Sequence, residues 1–129
     1  MIMSTRSAIG YKLPTGEVRG IYCHWDGYVS NNGKILVESY TDQSMVWQLV
    51  EFGDLSSLSS DINERVYYGR DIGETEVGAK TFTDVDDFVT TLAMSNCEYF
   101  YLWNGNEWIV TNGNLEFDRV EDLLALEIA

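Results

Sequence analysis

Cys97-Glu98-Tyr99-Phe100-Tyr101-Leu102-Trp103, Asn104-Gly105, Asn106-Glu107-Trp108-Ile109-Val110-Thr111 is the stretch that decides the fold. Two runs rich in aromatic and β-branched residues flank an Asn-Gly pair, the preferred centre of a tight type I′ turn, because both residues tolerate positive φ. The stretch therefore reads as an antiparallel hairpin. A second hairpin is written near the start: Ala8-Ile9-Gly10-Tyr11, then Leu13-Pro14-Thr15-Gly16, then Val18 through Trp25. Proline presets the turn and glycine supplies its positive-φ position. In the run that follows, Ile21, Cys23 and Trp25 fall on one face and Tyr22, His24 and Asp26 on the other.

Helical periodicity fills the spaces between these hairpins. Lys34 to Tyr40 reads as a short helix, with Ser30 to Asn32 offering caps and Ile35, Leu36 and Tyr40 sharing a face. Thr41 or Asp42 caps a second helix with apolar positions Met45, Val46, Leu49 and Val50, and Gly53 sits where a left-handed cap ends it. Thr83 opens a third, with acids in its first turn and a buried stripe of Val85, Phe88, Val89 and Leu92. Asp118-Arg119-Val120-Glu121 opens a fourth, which carries Leu123, Leu124 and Leu126. Residues 54–64 are Ser-rich and aperiodic and read as a loop, 65–69 as a strand, and 70–78 as an exposed acidic connection. The sum is an α+β domain spanning 1–129: a mostly antiparallel sheet of about five strands with three or four helices packed on one face, and no alternation long enough for parallel βαβ units.

The chain has 129 residues, 45% of them hydrophobic and 13% aromatic, which is enough for a sizeable core. Its 21 acids and 8 basic residues leave a formal charge of -13. That charge opposes direct contact with nucleic acid or an anionic membrane. It is also uneven: residues 1–37 hold four basic and two acidic side chains, a net +2, whereas residues 38–129 hold four basic and nineteen acidic, a net -15. No apolar run approaches the ~18–20 residues of a membrane span, and Met1 to Arg6 has no apolar signal-peptide core, so a cytoplasmic protein is expected. Cys23 and Cys97 are then expected to be reduced and packed. No cofactor is expected, and no metal, since one histidine and two distant cysteines give no zinc spacing and no loop has the EF-hand pattern.

Candidate chemistry is sparse. His24, the only histidine, shares a strand face with Asp26, while Cys23 points away, so a Cys23–His24 dyad is poor geometry for a nucleophile and its base. Cys97 is able to approach His24 across the sheet, although a cysteine opening an aromatic strand is more often core. The sequence has no Gly-x-Ser-x-Gly elbow, no phosphate loop with Lys and no His-Glu-x-x-His, and Gly69-Arg70-Asp71-Ile72-Gly73 reads as a turn. Trp103 and Trp108, alternating across the hairpin among acids, are candidates for an exposed interaction surface or for packing under the helices.

Ser4-Thr5-Arg6-Ser7, Ile21-Tyr22-Cys23-His24-Trp25-Asp26-Gly27-Tyr28 and Gly33-Lys34-Ile35-Leu36 together carry a resemblance. They are similar to a family of small uncharacterised proteins encoded by phages, prophages and bacteria. Its members share a Thr-Arg-Ser start, a Tyr-x-(His or Gln)-aromatic-Asp-Gly-Tyr core and a glycine before the next element. The resemblance runs as far as Gly53-Asp54-Leu55-Ser56-Ser57-Leu58, fades beyond it, and implies no activity. Val29 stands where the family places proline, which implies a looser turn, and the motif implies translation from Met3. Across the first hairpin, Arg6 is in reach of Asp26 or Tyr28 with His24 beside it, giving a polar cluster of Arg6, His24, Asp26 and Tyr28 that reads as a ligand site or a structural tie.

Two functions of different classes follow. The first is an acidic, phage-type binding protein that occupies the basic, nucleic-acid-binding surface of a host enzyme, as anti-restriction and anti-CRISPR inhibitors and DNA mimics do. Its expected contact surface is Asp84, Asp86, Asp87, Glu98, Trp103, Glu107, Trp108, Glu121 and Asp122. The second is a small enzyme or ligand-binding domain built on Arg6, His24, Asp26 and Tyr28, with Cys97 in reach.

Overall fold

A computed structural model describes residues 4–61 and 63–128; the expected start at Met3 lies outside them. The elements run β1 (Arg6–Lys12), β2 (Val18–Cys23), a π-helical turn (Val29–Gly33), α1 (Lys34–Ser39), α2 (Gln43–Glu51), β3 (Leu55–Ser57), β4 (Val66–Tyr67), β5 (Lys80–Phe82), α3 (Val85–Ala93), β6 (Cys97–Trp103), β7 (Trp108–Thr111), β8 (Asp118–Arg119) and α4 (Val120–Ile128). One eight-stranded sheet has the order β4-β3-β2-β1-β6-β7-β8, with β5 also paired to β2. Both expected hairpins are present: β1 and β2 pair from Ser7↔Cys23 to Lys12↔Val18, and β6 and β7 from Phe100↔Thr111 to Trp103↔Trp108.

The α+β class and the mostly antiparallel sheet stand, and the strand count is corrected upward. The three unforeseen strands are β3, β5 and β8, none longer than three residues. Strands this short hold no alternation that a sequence reading can detect. β3 adds to β2 by main-chain bonds, with His24 N–H donating to Leu55 O at 3.0 Å and Trp25 N–H to Ser56 O at 3.0 Å. Two pairings, β1 with β6 and β2 with β3, are parallel. The β2–α1–α2–β3 connection is thus a parallel crossover that the short Ser-rich β3 concealed.

Alternation along the central strands buries both faces, so the helices do not lie on one face. Ile9, Ile21, Tyr101 and Trp103 face α1, α2 and α4, contacting Leu36, Val46, Leu49 and Val120. Ala8, Val18, Phe100 and Leu102 face α3, whose Phe88, Val89 and Leu92 cover them. Phe88 packs close against the strands because Gly10 and Gly20 are cross-strand partners beneath it. A Cβ on Gly20 would come within 2.6 Å of Phe88 Cε1. Burying such a phenylalanine contributes about 1.5–3 kcal/mol.

Local details differ from the sequence reading in instructive ways. The β6–β7 connection is not a two-residue type I′ turn. Asn104 to Glu107 form a four-residue loop in which Asn104 Oδ1 accepts the Asn106 and Glu107 amides, and Gly105 alone of the pair has positive φ, +104°. At α2, Asp42 is the cap, accepting Met45 N–H at 2.9 Å, and Met45 faces solvent. At α3, the cap is Asp84, which accepts Asp87 N–H, while Asp87 accepts Thr83 N–H in return. The cap lies one residue later than expected, and the returning bond reaches the amide just before it rather than the cap's own, so the box is not strictly reciprocal. No side chain from Ser30 to Asn32 caps α1; the chain enters it through the π-helical turn, and Asn32 is buried instead, donating to Ser7 Oγ at 3.2 Å.

Candidate functional site

β2 ends at Cys23, and residues 24–28 turn across the start of β1, with Gly27 N–H donating to Thr5 O at 2.8 Å. Gly27 packs against Ser7, where a Cβ would lie 2.7 Å from Ser7 Cβ. Asp26 takes φ +56° and Tyr28 projects to solvent. The expected line Tyr22-His24-Asp26 therefore breaks after His24. Among the described residues no hydrogen bond or ion pair joins Arg6 to Asp26 or Tyr28. What the fold brings together is Arg6, Tyr22 and His24, all on the α3 side of the sheet.

Tyr22 Oη and His24 Nδ1 lie 2.7 Å apart, and the His24 ring meets Trp25 edge-on at 4.7 Å. Burial lowers the His24 pKa from its ordinary 6.5 and the Arg6 charge lowers it further. Burial raises the Tyr22 hydroxyl, and Arg6 opposes that rise only in part. Two residues that the sequence did not single out complete the surroundings. Asp54, just past α2, accepts Tyr22 N–H on Oδ1 at 2.9 Å, and burial raises its carboxyl although Lys80 pulls it down. Lys80 opens β5, opposite Gly20. A cleft of about 390 Å³ lies among Arg6, Tyr22, Asp54 and Lys80, closed on its α3 side by Leu92, Ser95 and Asn96. The sequence signal for these additions was faint: Asp54 opens the Ser-rich stretch that reads as a loop, and Lys80 is a lone lysine in the acidic part of the chain.

Neither thiol is built for chemistry. Cys23 and Cys97 are free and buried on opposite faces of the sheet. Burial pushes Cys23 up to about 11 and Cys97 up to about 12, so neither supplies a thiolate near neutrality. No hydrogen bond joins Cys97 to His24 among the described residues. No three His, Cys, Asp or Glu side chains gather to hold a metal there either. No described helix is long and apolar enough to cross a membrane.

The expected acidic surface divides into separate places. Asp84, Asp86 and Asp87 crowd the start of α3, where main-chain and hydroxyl donors serve Asp84 and Asp87 and, among the described residues, no cation is in ion-pair range; the Thr83 amide and Thr91 hydroxyl hold Asp87 below the usual carboxylate range. Glu107, Glu121 and Asp122 surround one cation, Arg119, at 2.8 to 3.2 Å at the β8 edge of the sheet. Glu98 is exposed on β6. Trp103 and Trp108 do not belong to any surface. Both are buried beneath α1 and α4, with ring centroids 5.5 Å apart, and Trp108 Nε1 donates to Tyr40 O at 2.9 Å. The aromatics that reach solvent are instead Trp25, Tyr28, Trp47 and Phe52. No family model, curated protein or solved structure matches the chain.

Proposed function

We propose that the chain is a non-enzymatic, phage-type binding protein whose acidic surface occupies a basic, nucleic-acid-binding surface on a host enzyme, in the manner of anti-restriction, anti-CRISPR or DNA-mimic inhibitors. The observation that carries this reading is how little of the acidity the protein neutralises itself. Three arginines, Arg19, Arg70 and Arg119, share five carboxylates in ion pairs. Asp84, Asp86 and Glu98 remain exposed with no described cation in ion-pair range. Exposed, unpaired charge of one sign speeds encounter with an opposite surface and makes association sensitive to salt. The sealed thiols leave no cysteine nucleophile beside His24, which weighs against thiol catalysis. The Arg6–Lys80 cleft favours a second role, non-covalent ligand binding, at a separate place on the molecule.

Affinity capture from a host lysate at low and high salt tests the main reading. The expected result is recovery of a basic nucleic-acid enzyme at low salt and its loss at high salt. Recovery of no partner at either salt overturns it.

A further inference from the structure

We infer that the cleft beside Arg6 and Lys80 binds a small molecule bearing one oxyanion, a carboxylate or a phosphate, joined to a short apolar body. This site lies on the α3 face and is independent of the acidic-surface reading.

The first support is an imbalance of charge. In a chain with 21 acids, Arg19, Arg70 and Arg119 are each satisfied by carboxylates. Arg65 is buried between the rings of Tyr40 and Tyr67. Arg6 has neither arrangement: among the described residues no carboxylate is in ion-pair range of it, nor of Lys80, and both line the same cleft. Strand placement holds them there. Arg6 sits where β1 meets Cys97 of β6, and Lys80 pairs with Gly20 on β2, so the two cations reach the cleft from different strands.

The second support is the wall chemistry. Asp54, the one acid of the cleft, has an oxygen committed to Tyr22 N–H, and its burial disfavours the ionised form that would repel an anion. Asn96, held at φ +66° past the end of α3, adds a polar side chain at the rim. Phe82 and Leu92 give the apolar part. The volume of about 390 Å³ falls within the range of small-molecule sites, and two cations in a lining more polar than apolar suit charge-assisted binding of an oxyanion. A nucleic acid is excluded by the acidic surface around the rest of the fold.

Amide NMR titration with inorganic phosphate and, separately, with benzoate tests the inference, with chloride keeping ionic strength constant. Saturable shifts confined to Gly20, Tyr22 and Asn96 are expected with at least one probe, and which probe acts identifies the oxyanion. Arg6→Gln and Lys80→Gln should each weaken that binding about ten-fold, whereas Lys34→Gln on the opposite face should leave it unchanged. Lys80 is exposed, so its variant keeps the test valid even if Arg6→Gln does not fold. No saturable shift with either probe, or equal binding in all three variants, overturns the inference.

Discussion

Gly20 and Phe88 set the spacing between the sheet and α3. Because a methyl group on Gly20 would press on two carbons of the Phe88 ring and on Phe82 Cε2 at 3.3 Å, Gly20→Ala forces the helix outward. A loss of about 1–3 kcal/mol is expected in chemical denaturation. Loss of under half a kilocalorie would mean that α3 slides freely, against this packing. His24 offers a second test at the same scale. Its folded pKa lies below the ordinary 6.5, so the unfolded chain takes up the proton first. The resulting stability is present above pH 6.5 and declines as pH falls through that value. An NMR titration of the His24 ring should give a pKa below 6.5, rising when Arg6→Gln removes the second cause. A native value at or above 6.5 contradicts the placement of His24 beside Arg6.

At the scale of elements, what the sequence made legible depended on length and on period. The two hairpins, α2, α3 and α4 carry patterns long enough to identify them, and the capping acids Asp42 and Asp84 lie within one residue of where they were expected. β3, β5 and β8 escaped because main-chain pairing to a neighbour, rather than any side-chain pattern, makes them strands. The same physics hid half of the site. Arg6 and His24 were visible, yet Asp54 and Lys80 reach the cleft only because β3 and β5 both pair with β2. Asp26 and Tyr28 were misplaced because alternation was carried past Cys23, where the strand stops. The hairpin itself gives a clean test. Gly105 has φ +104° and nothing within 4 Å of a Cβ position, so Gly105→Ala should cost about 1 kcal/mol or more through backbone strain alone. Its thermal midpoint should fall while Trp103 and Trp108 fluorescence stays native. A change in that fluorescence would show that the loop, and not the burial under α1 and α4, positions the indoles.

For the whole molecule, the division of charge along the chain does not become one acidic patch. The near-balanced N-terminal third supplies β1, β2 and the Arg6 side of the cleft, while the acids beyond it are spread over α1, α2, the 61–76 connection, the start of α3, β6, the hairpin tip and the start of α4. Of the two readings open for Trp103 and Trp108, packing under the helices is the one the structure shows, so neither belongs to an acidic surface. The aromatic part of an interface, if the acids form one, has to come from elsewhere. The most direct measurement of the central claim is capture of the host partner by wild-type protein and by a variant carrying Asp84→Asn, Asp86→Asn and Glu98→Gln, each with and without competing double-stranded DNA. Wild type is expected to hold the partner, DNA to release it, and the neutralised variant to lose it at moderate salt. Undiminished capture by the variant, or a partner that DNA leaves in place, would contradict it.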